Sequence, residues 1–349
     1  VSKIERTSDA VESDAEKDAS LRRLRDKVSG LSGLEGNLTH LLHQIIAKLD
    51  ILERENRLLM RQSLMPREFQ WRGQPPLIGG AQPGEFVFEQ ACLCRAQHFR
   101  ESWFSFWCQA LGEPLRYHRK LWEFVFICQA LYERGAITKG KRGLGFGVGA
   151  EPLSAYFAGH GVKIVATDMA AEEAQAAGWT ETAQHAAGKE TLARPALCDP
   201  KVFDRNVSFR TVDMNAVPDD LTGFDFCWSA CALEHLGSID HGLDFIERSL
   251  ATLKPGGLAI HTTEFNVSSD WETLETGSTV LFRRRDFDGF ADRLRAKGHI
   301  VTPIDYHPGF GDVDRYIDVA PYREEPHLKM ALEGYATTSI GLIIQRGPV

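Results

Sequence analysis

Between Lys141 and Met169 the chain reads KRGLGFGVGAEPLSAYFAGHGVKIVATDM, the segment that most narrows what it can fold into. A short strand enters a turn with glycines at 145, 147 and 149, a helix follows, and a second strand, Val162–Thr167, ends on Asp168. Glycine admits positive φ and lets backbone approach a ligand closely, while the next helix's N-terminus offers free N–H groups. A carboxylate at the tip of the second strand is placed to accept hydrogen bonds from both hydroxyls of a ribose. Taken alone the unit leaves two readings, because Gly145-x-Gly147-x-x-Ala150 with Asp168 also fits the dinucleotide fingerprint.

The downstream chain separates them. Val207–Val212 reads as a strand ending in Asp213-Met214, where a carboxylate could take an adenine amino group and an apolar side chain its face. Phe224–Trp228 is the next strand, followed by Ser229-Ala-Cys-Ala-Leu-Glu234-His235. A helix over about 240–253 leads through LKPGG (Leu253–Gly257) into the strand Leu258–Thr263. In this order the motifs resemble class I S-adenosylmethionine-dependent methyltransferases, strongly over 136–265 and by topology to the C-terminus. The resemblance implies a doubly wound, seven-stranded, mostly parallel α/β sheet over 136–349, and an N-terminal coiled-coil helix and a helical lead-in, read from their own residues below, are expected to precede it. It implies S-adenosylmethionine as cofactor, held by Gly145, Gly147, Gly149, Glu151, Asp168, Met169, Asp213, Met214 and Ser229. One position departs from the family. Gly143 stands where an acidic residue usually lies near the methionine amino group. Glu151 is the candidate substitute, and the alternative is that it only complements the helix dipole.

Methyl transfer from a sulfonium is an in-line displacement, so a protein chiefly positions the two reactants and excludes water. An alcohol acceptor also needs a base. His235 and Glu264 are the candidates, following strands four and five, where open α/β sheets bind ligands. The alternatives are a structural histidine and a loop-capping glutamate. Asp270, Asp305 and His307 are further candidates. Glu264, Asp270 and a histidine could hold Mg²⁺ through hard ligands, but no spacing demands a metal and none is expected.

Residues 1–20 are acidic and polar, as in a mobile tail. Over 21–64 a coiled-coil helix is expected, firm over 37–62: Leu31, Leu38, Ile45, Leu52 and Leu59 recur every seven residues, with Leu42, Leu49 and Asn56 at the complementary positions. Asn56 at an a position and Lys48 facing Glu53 of a parallel partner suit a homo-oligomer; the alternative is an amphipathic helix packed on its own chain. Residues 65–135 read as a Pro/Gly-rich linker and an aromatic helical lead-in, with a basic segment at Arg116, His118, Arg119 and Lys120. Beyond the LKPGG strand, Asp286–Ala296 reads as a helix, with Ile300–Tyr306 and Ser339–Gln345 as strands pairing antiparallel at the sheet edge. Gly309–Lys329 is an insertion rich in Asp, Arg and Tyr, a mixture that suits sugars.

A net charge of -8 argues against a broad basic nucleic-acid surface. Seven scattered cysteines suit a reduced, cytoplasmic protein, and no apolar stretch approaches a membrane span. No signal-peptide pattern is found, and the start at Val1 leaves room for an upstream module. The segments PLRYHRKLWEFVFICQAL, GLGFGVGAEPL and TTEFNVSSDWETLETGSTVLFRRRDF resemble bacterial methyltransferases linked to cell-surface polysaccharide assembly. That resemblance implies O-methylation of a glycan or glycolipid hydroxyl, with the coil clustering active sites or docking on a glycosyltransferase. The competing expectations are methylation of a small natural product or a protein, a non-catalytic scaffold retaining the fold, and an NAD-dependent oxidoreductase.

Overall fold

Seven strands form one continuous path in the computed structural model, which describes residues 37–59, 73, 75–171, 185–323 and 325–348. Their order is β4 (Val207–Thr211), β3 (Lys163–Asp168), β2 (Arg142–Phe146), β5 (Phe224–Ala230), β6 (Leu253–Asn266), β10 (Tyr335–Gln345) and β7 (Ile300–Val301). The first five are mutually parallel, and β10 runs antiparallel between β6 and β7. An eighth strand, β9 (Lys329–Leu332), pairs antiparallel with the start of β10. A separate pair joins β1 (Ala91–Cys92) to β8 (Ile304–Asp305) in parallel.

Successive side chains of a strand face opposite sides of a sheet, and here two apolar cores sandwich it. On one side Phe226, Trp228 and Ile260 pack with α3 (Arg119–Glu133) and α4 (Leu153–Gly159) through Trp122, Phe126 and Phe157. On the other, Leu144, Phe146 and Cys227 meet Phe245 and Leu250 of α6 (Ile239–Ala251) and Phe287 and Phe290 of α7 (Arg284–Ala296). The short α5 (Pro200–Asn206) is capped by Asp199, which accepts from the N–H groups of Lys201 and Val202, with proline in the first turn.

The helical lead-in shares the first core rather than forming one of its own. Its α2 (Ser102–Leu111) buries Trp103, Phe104 and Trp107, and the Phe126 ring of α3 rests on β10 where Gly341 has no side chain. The expected strand Ile300–Tyr306 is instead two short pieces in different sheets. Pro303 lies between them, and a residue without an N–H interrupts a ladder. Likewise LKPGG is an excursion inside β6, with Phe224 paired to Leu253 and Phe226 to Leu258.

Residues 1–56 and 57–349 are two separate units. The smaller is described from residue 37, and residues 37–59 are helical (α1). Leu38, Leu42, Ile45, Leu49 and Leu52 on it are exposed, as are Leu41 and Ile46. The expected tail over 1–20, Leu31, and both ends of the expected coil (21–36 and 60–64) lie outside the described residues. Among the described residues, no helix is long and apolar enough to cross a membrane.

Candidate active site

A cavity of about 350 Å³ opens where β2, β3 and β5 run out into their loops. Gly147 (φ 55°) and Gly149 (φ 51°) line it in the left-handed conformation that disfavours side chains. A Cβ on Gly147 would lie 2.8 Å from the Ala232 methyl, so the turn presents bare backbone there. Gly145 does not line the cavity. Its closeness is internal: a Cβ would meet the Trp228 ring and Val148, both at 2.5 Å.

Asp168 ties the rim together. Its Oδ2 accepts from the Gly149 and Ala186 N–H groups, each at 3.0 Å, and its Oδ1 from the Met169 N–H at 2.9 Å. Burial raises its pKa, and those backbone donors oppose the rise. Met169, Asp213 and Met214 line the same cavity. Asp213 is exposed and caps the following turn, accepting from the Asn215 N–H at 2.8 Å.

Glu151 is buried at the cavity wall, and its Oε1 accepts the indole N–H of Trp228 at 2.6 Å. It therefore does more than face a helix dipole. Burial pushes its carboxyl up to about 8; the Trp228 bond and Lys120 oppose this, while Asp168 and Glu123 add to it. At Gly143 a Cβ would lie 2.6 Å from the Phe226 ring and 2.9 Å from Ile164, so no acidic side chain fits at this position.

Ser229 falls elsewhere. Side chains alternate along β5, so Trp228 and Ala230 lie on the cavity side while Ser229 is buried on the other, with its Oγ 2.8 Å from His261 Nδ1. The second nitrogen of His261 meets Ser249 Oγ at 3.1 Å, and burial pushes this imidazole down to about 3.

His235 lines the cavity, with Nδ1 2.8 Å from the Ser278 carbonyl oxygen. A carbonyl only accepts, so Nδ1 donates in that contact, while Nε2 lies 3.9 Å from Glu234 Oε1. Glu264 does not line the cavity. It is buried, ion-paired with Arg119, and accepts from Thr337 Oγ1 at 2.7 Å. The expected contact with an acceptor is thus replaced by a buried charge network. In it Glu123 takes Lys120 at 3.0 Å, Ser339 Oγ at 2.6 Å and the Cys231 thiol at 2.9 Å. Burial works to raise the Glu123 carboxyl, but Lys120 and Arg119 outweigh it and hold it low.

Cys231, Glu234 and Glu264 bring ligand-type atoms within 4.8 Å of one another, the grouping of three found among the described residues. It does not include Asp270, which the sequence offered beside Glu264 as a hard ligand, and Arg119 already places a cation against Glu264. Asp305 and His307 also lie away from the cavity: Asp305 pairs with Arg95 at 2.5 Å, and His307 Nδ1 accepts from the Gly309 N–H. Among the described residues of the 309–329 insertion, none lines the cavity. Asp314 accepts from the Ala96 N–H at 2.7 Å, and Asp318 meets His327 at 2.7 Å.

No protein-family model matches the chain, and no curated protein matches it. Among solved structures it is similar to a putative sarcosine dimethylglycine methyltransferase from Galdieria sulphuraria, 13% identical, with 70% of this chain and 98% of that one covered and a TM-score of 0.42. It is also similar to the 1,6-didemethyltoxoflavin-N1-methyltransferase of Burkholderia thailandensis, crystallised with S-adenosylhomocysteine: 15% identity, 63% and 76% covered, TM-score 0.36. A third is TehB from Haemophilus influenzae, 14% identical, covering 63% and 62%, with a TM-score of 0.37.

The cavity-lining residues that were not anticipated include Lys120, Phe124, His185 and Cys231. The first two sit four apart on α3, so they share one face. The basic segment was visible in the sequence, but nothing local said that it reaches a site formed by strands that follow it.

Proposed function

We propose that the cavity binds S-adenosylmethionine and that the chain is a methyltransferase. The supporting observation is the grouping of Glu151, Asp168, Asp213 and Met214 with the bare backbone of Gly147 and Gly149 around one cavity. These residues fit the group. Asp168 Oδ1 keeps acceptor capacity for a ribose hydroxyl, Asp213 and Met214 suit an adenine, and Glu151 suits an ammonium. When bound, the cofactor supplies an electrophilic methyl on a sulfonium. The chain's part is to orient both reactants and to take a proton from the acceptor, for which His235 Nε2 is the proposed base. A dinucleotide-binding sheet runs parallel in the order 3-2-1-4-5-6, whereas here antiparallel β10 is inserted before the edge strand, which favours the methyltransferase reading.

For the acceptor we propose a hydroxyl of a glycan or glycolipid, on the sequence resemblance to polysaccharide-linked methyltransferases and the presence of a base at the cavity. A cytoplasmic setting suits the seven free thiols. We also propose that two copies associate through α1. Calorimetric titration with S-adenosylhomocysteine, with NAD as control, tests the cofactor: binding of the first alone supports it, and binding of neither overturns it. With labelled cofactor, methyl recovered on released glycan supports the acceptor class, and methyl found only on protein or a small metabolite overturns it.

A further inference from the structure

Trp271 stands 77% exposed on a loop whose backbone is held from both sides. Its N–H donates to Ser269 Oγ at 3.1 Å, and its carbonyl accepts from Arg283 Nη1 at 2.7 Å. Asn266, the last residue of β6, donates through Nδ2 to the Glu272 carbonyl at 3.0 Å, and Thr273 Oγ1 donates to the Leu281 carbonyl at 2.7 Å. The same loop reaches the cavity. Ser278 offers its carbonyl to His235, and the Val280 N–H donates to the Glu234 carbonyl at 2.9 Å. Tryptophan is ordinarily buried, so a ring kept in water by a fixed backbone points to a ligand.

A second ring lies nearby. Tyr306 stacks on Phe265 of β6, with centroids 5.6 Å apart, and donates its hydroxyl to Asp288 at 3.0 Å. Burial raises the Tyr306 pKa, and Asp288 and Asp270 add to the rise, so the residue before Trp271 lies close to this phenol. Consecutive arginines of α7 back the two rings. Arg284 Cζ is 5.2 Å from the Tyr306 centroid, and Arg285 Cζ is 5.5 Å from that of Trp271. Arg284 is paired with Asp288 at 3.2 Å and Arg285 with Glu275 at 3.8 Å, so neither cation is left over for a polyanion.

Two aromatic faces bordered by balanced carboxylates and guanidinium groups suit a neutral ligand rich in hydroxyls. We propose that Trp271 and Tyr306 form a platform for a saccharide chain, holding sugars of the acceptor other than the one that is methylated. The C–H bonds on one face of a pyranose are weakly positive and stack on the negative face of an aromatic ring. Asp270, Asp288 and the two arginines then meet the sugar hydroxyls. The inference rests on the glycan reading above and extends it. The acceptor is an oligosaccharide or longer, and sugars away from the reacting hydroxyl contribute binding energy.

The test is transfer of labelled methyl by the full chain to glycan released from the surface polysaccharide of cells that lack it, separated by length. In the wild type KM should fall from monosaccharide to oligosaccharide. Trp271→Ala should raise KM for the long acceptors about tenfold, as for truncation of an aromatic anchor, with kcat and the poorer transfer to short ones unchanged. Trp271→Tyr keeps a ring and should recover most of the affinity. Trp271 lies outside the cavity, so unchanged S-adenosylhomocysteine binding reports that both variants are folded. If KM does not depend on length, or Trp271→Ala matches the wild type on long acceptors, the platform is overturned and the glycan reading stands. If glycan of no length is methylated, both fall.

Discussion

Trp228 of β5 donates its indole N–H to the buried carboxyl of Glu151 at 2.6 Å, and it can do so because Gly145 leaves room for the ring. The ring also packs edge-on against Phe157, with centroids 5.3 Å apart. Gly145 therefore acts on the cavity at second hand, through the tryptophan that holds Glu151.

Gly145→Ala should force the indole aside, since the new Cβ would fall 2.5 Å from it. Overpacking of this kind costs about 1–3 kcal/mol, read by urea denaturation. Trp228→Phe keeps most of the ring but leaves Glu151 buried without its donor, a loss of about 1–3 kcal/mol. Both should weaken S-adenosylhomocysteine binding, and a Gly145→Ala protein of unchanged stability would refute the coupling.

Asp168 and Asp213 separate structure from binding. Asp168→Ala removes the acceptor for three backbone N–H groups, two of them serving segments on either side of the cavity. Its expected cost is about 2–4 kcal/mol of stability in addition to any ligand effect. Asp213 is exposed and accepts only the Asn215 N–H among the bonds described, so Asp213→Ala should cost about 1 kcal/mol, the worth of a cap. Loss of nucleoside binding in Asp213→Ala with a near-normal urea midpoint would place this residue at the ligand. Retained affinity would remove it.

Much of the sheet was readable where a short apolar strand runs into a glycine turn or ends on an acid, as β2 does before Gly147 and β3 at Asp168. The cavity was readable only where strand and loop are contiguous. Ser229 reads in the sequence as following a strand, as Met169 does, yet it lies inside β5 and pleating turns it into the far core, a phase that sequence position alone does not give. Glu264 looked like a loop-facing acid because its partner, Arg119, lies 145 positions earlier on a helix that packs over the same strand ends. The reason for Gly143 was also invisible locally, since the ring filling its side-chain space is Phe226 from the neighbouring strand.

Buried charge makes Arg119 a sensitive position. It pairs with Glu264 and lies 3.5 Å from Glu123, both carboxylates being almost fully buried. Arg119→Met should leave Glu264 uncompensated, while Glu123 keeps Lys120, and cost about 3–5 kcal/mol. Adding Glu264→Gln should recover part of that loss, a coupling that a double-mutant cycle in urea would reveal. Strictly additive effects would show that the pair does not act as a unit.

The pH profile has two limbs with opposite signs. Glu151 is raised in the fold from 4.5 to about 8, so its stabilising contribution is complete below about pH 4.5 and is lost as pH rises through 8. His261 is lowered from 6.5 to about 3, so its contribution is present above 6.5 and declines as pH falls toward 3. Glu151→Gln should flatten the alkaline limb of the urea midpoint against pH while leaving the acid limb alone. If an ammonium binds at Glu151, about one proton should also be released at pH 6.5, seen as calorimetric enthalpies that vary with the buffer's ionisation enthalpy. Lys120, Asp168 and Glu123 set the size of that release, since their charges act on the same carboxyl.

Helix α1 exposes a stripe of leucine and isoleucine that a monomer would leave in water, with Leu49 58% and Leu52 59% exposed. With Leu42, Leu49 and Asn56 at a and Ile45, Leu52 and Leu59 at d, a parallel pair sets Asn56 against the partner's Asn56 and Lys48 beside the partner's Glu53. A buried asparagine at a favours two strands, so the full chain should have the mass of a dimer by light scattering. Leu49→Asp with Leu52→Asp should give the monomer mass without loss of nucleoside binding, because the cavity is lined by residues 120–236. Asn56→Leu should tighten association and admit higher-order species, as removal of a polar register residue does. Lys48→Glu separates the orientations. A parallel pair then meets like charges at the partner's Glu53 and weakens, more so at low salt, whereas an antiparallel pair has no such contact to lose.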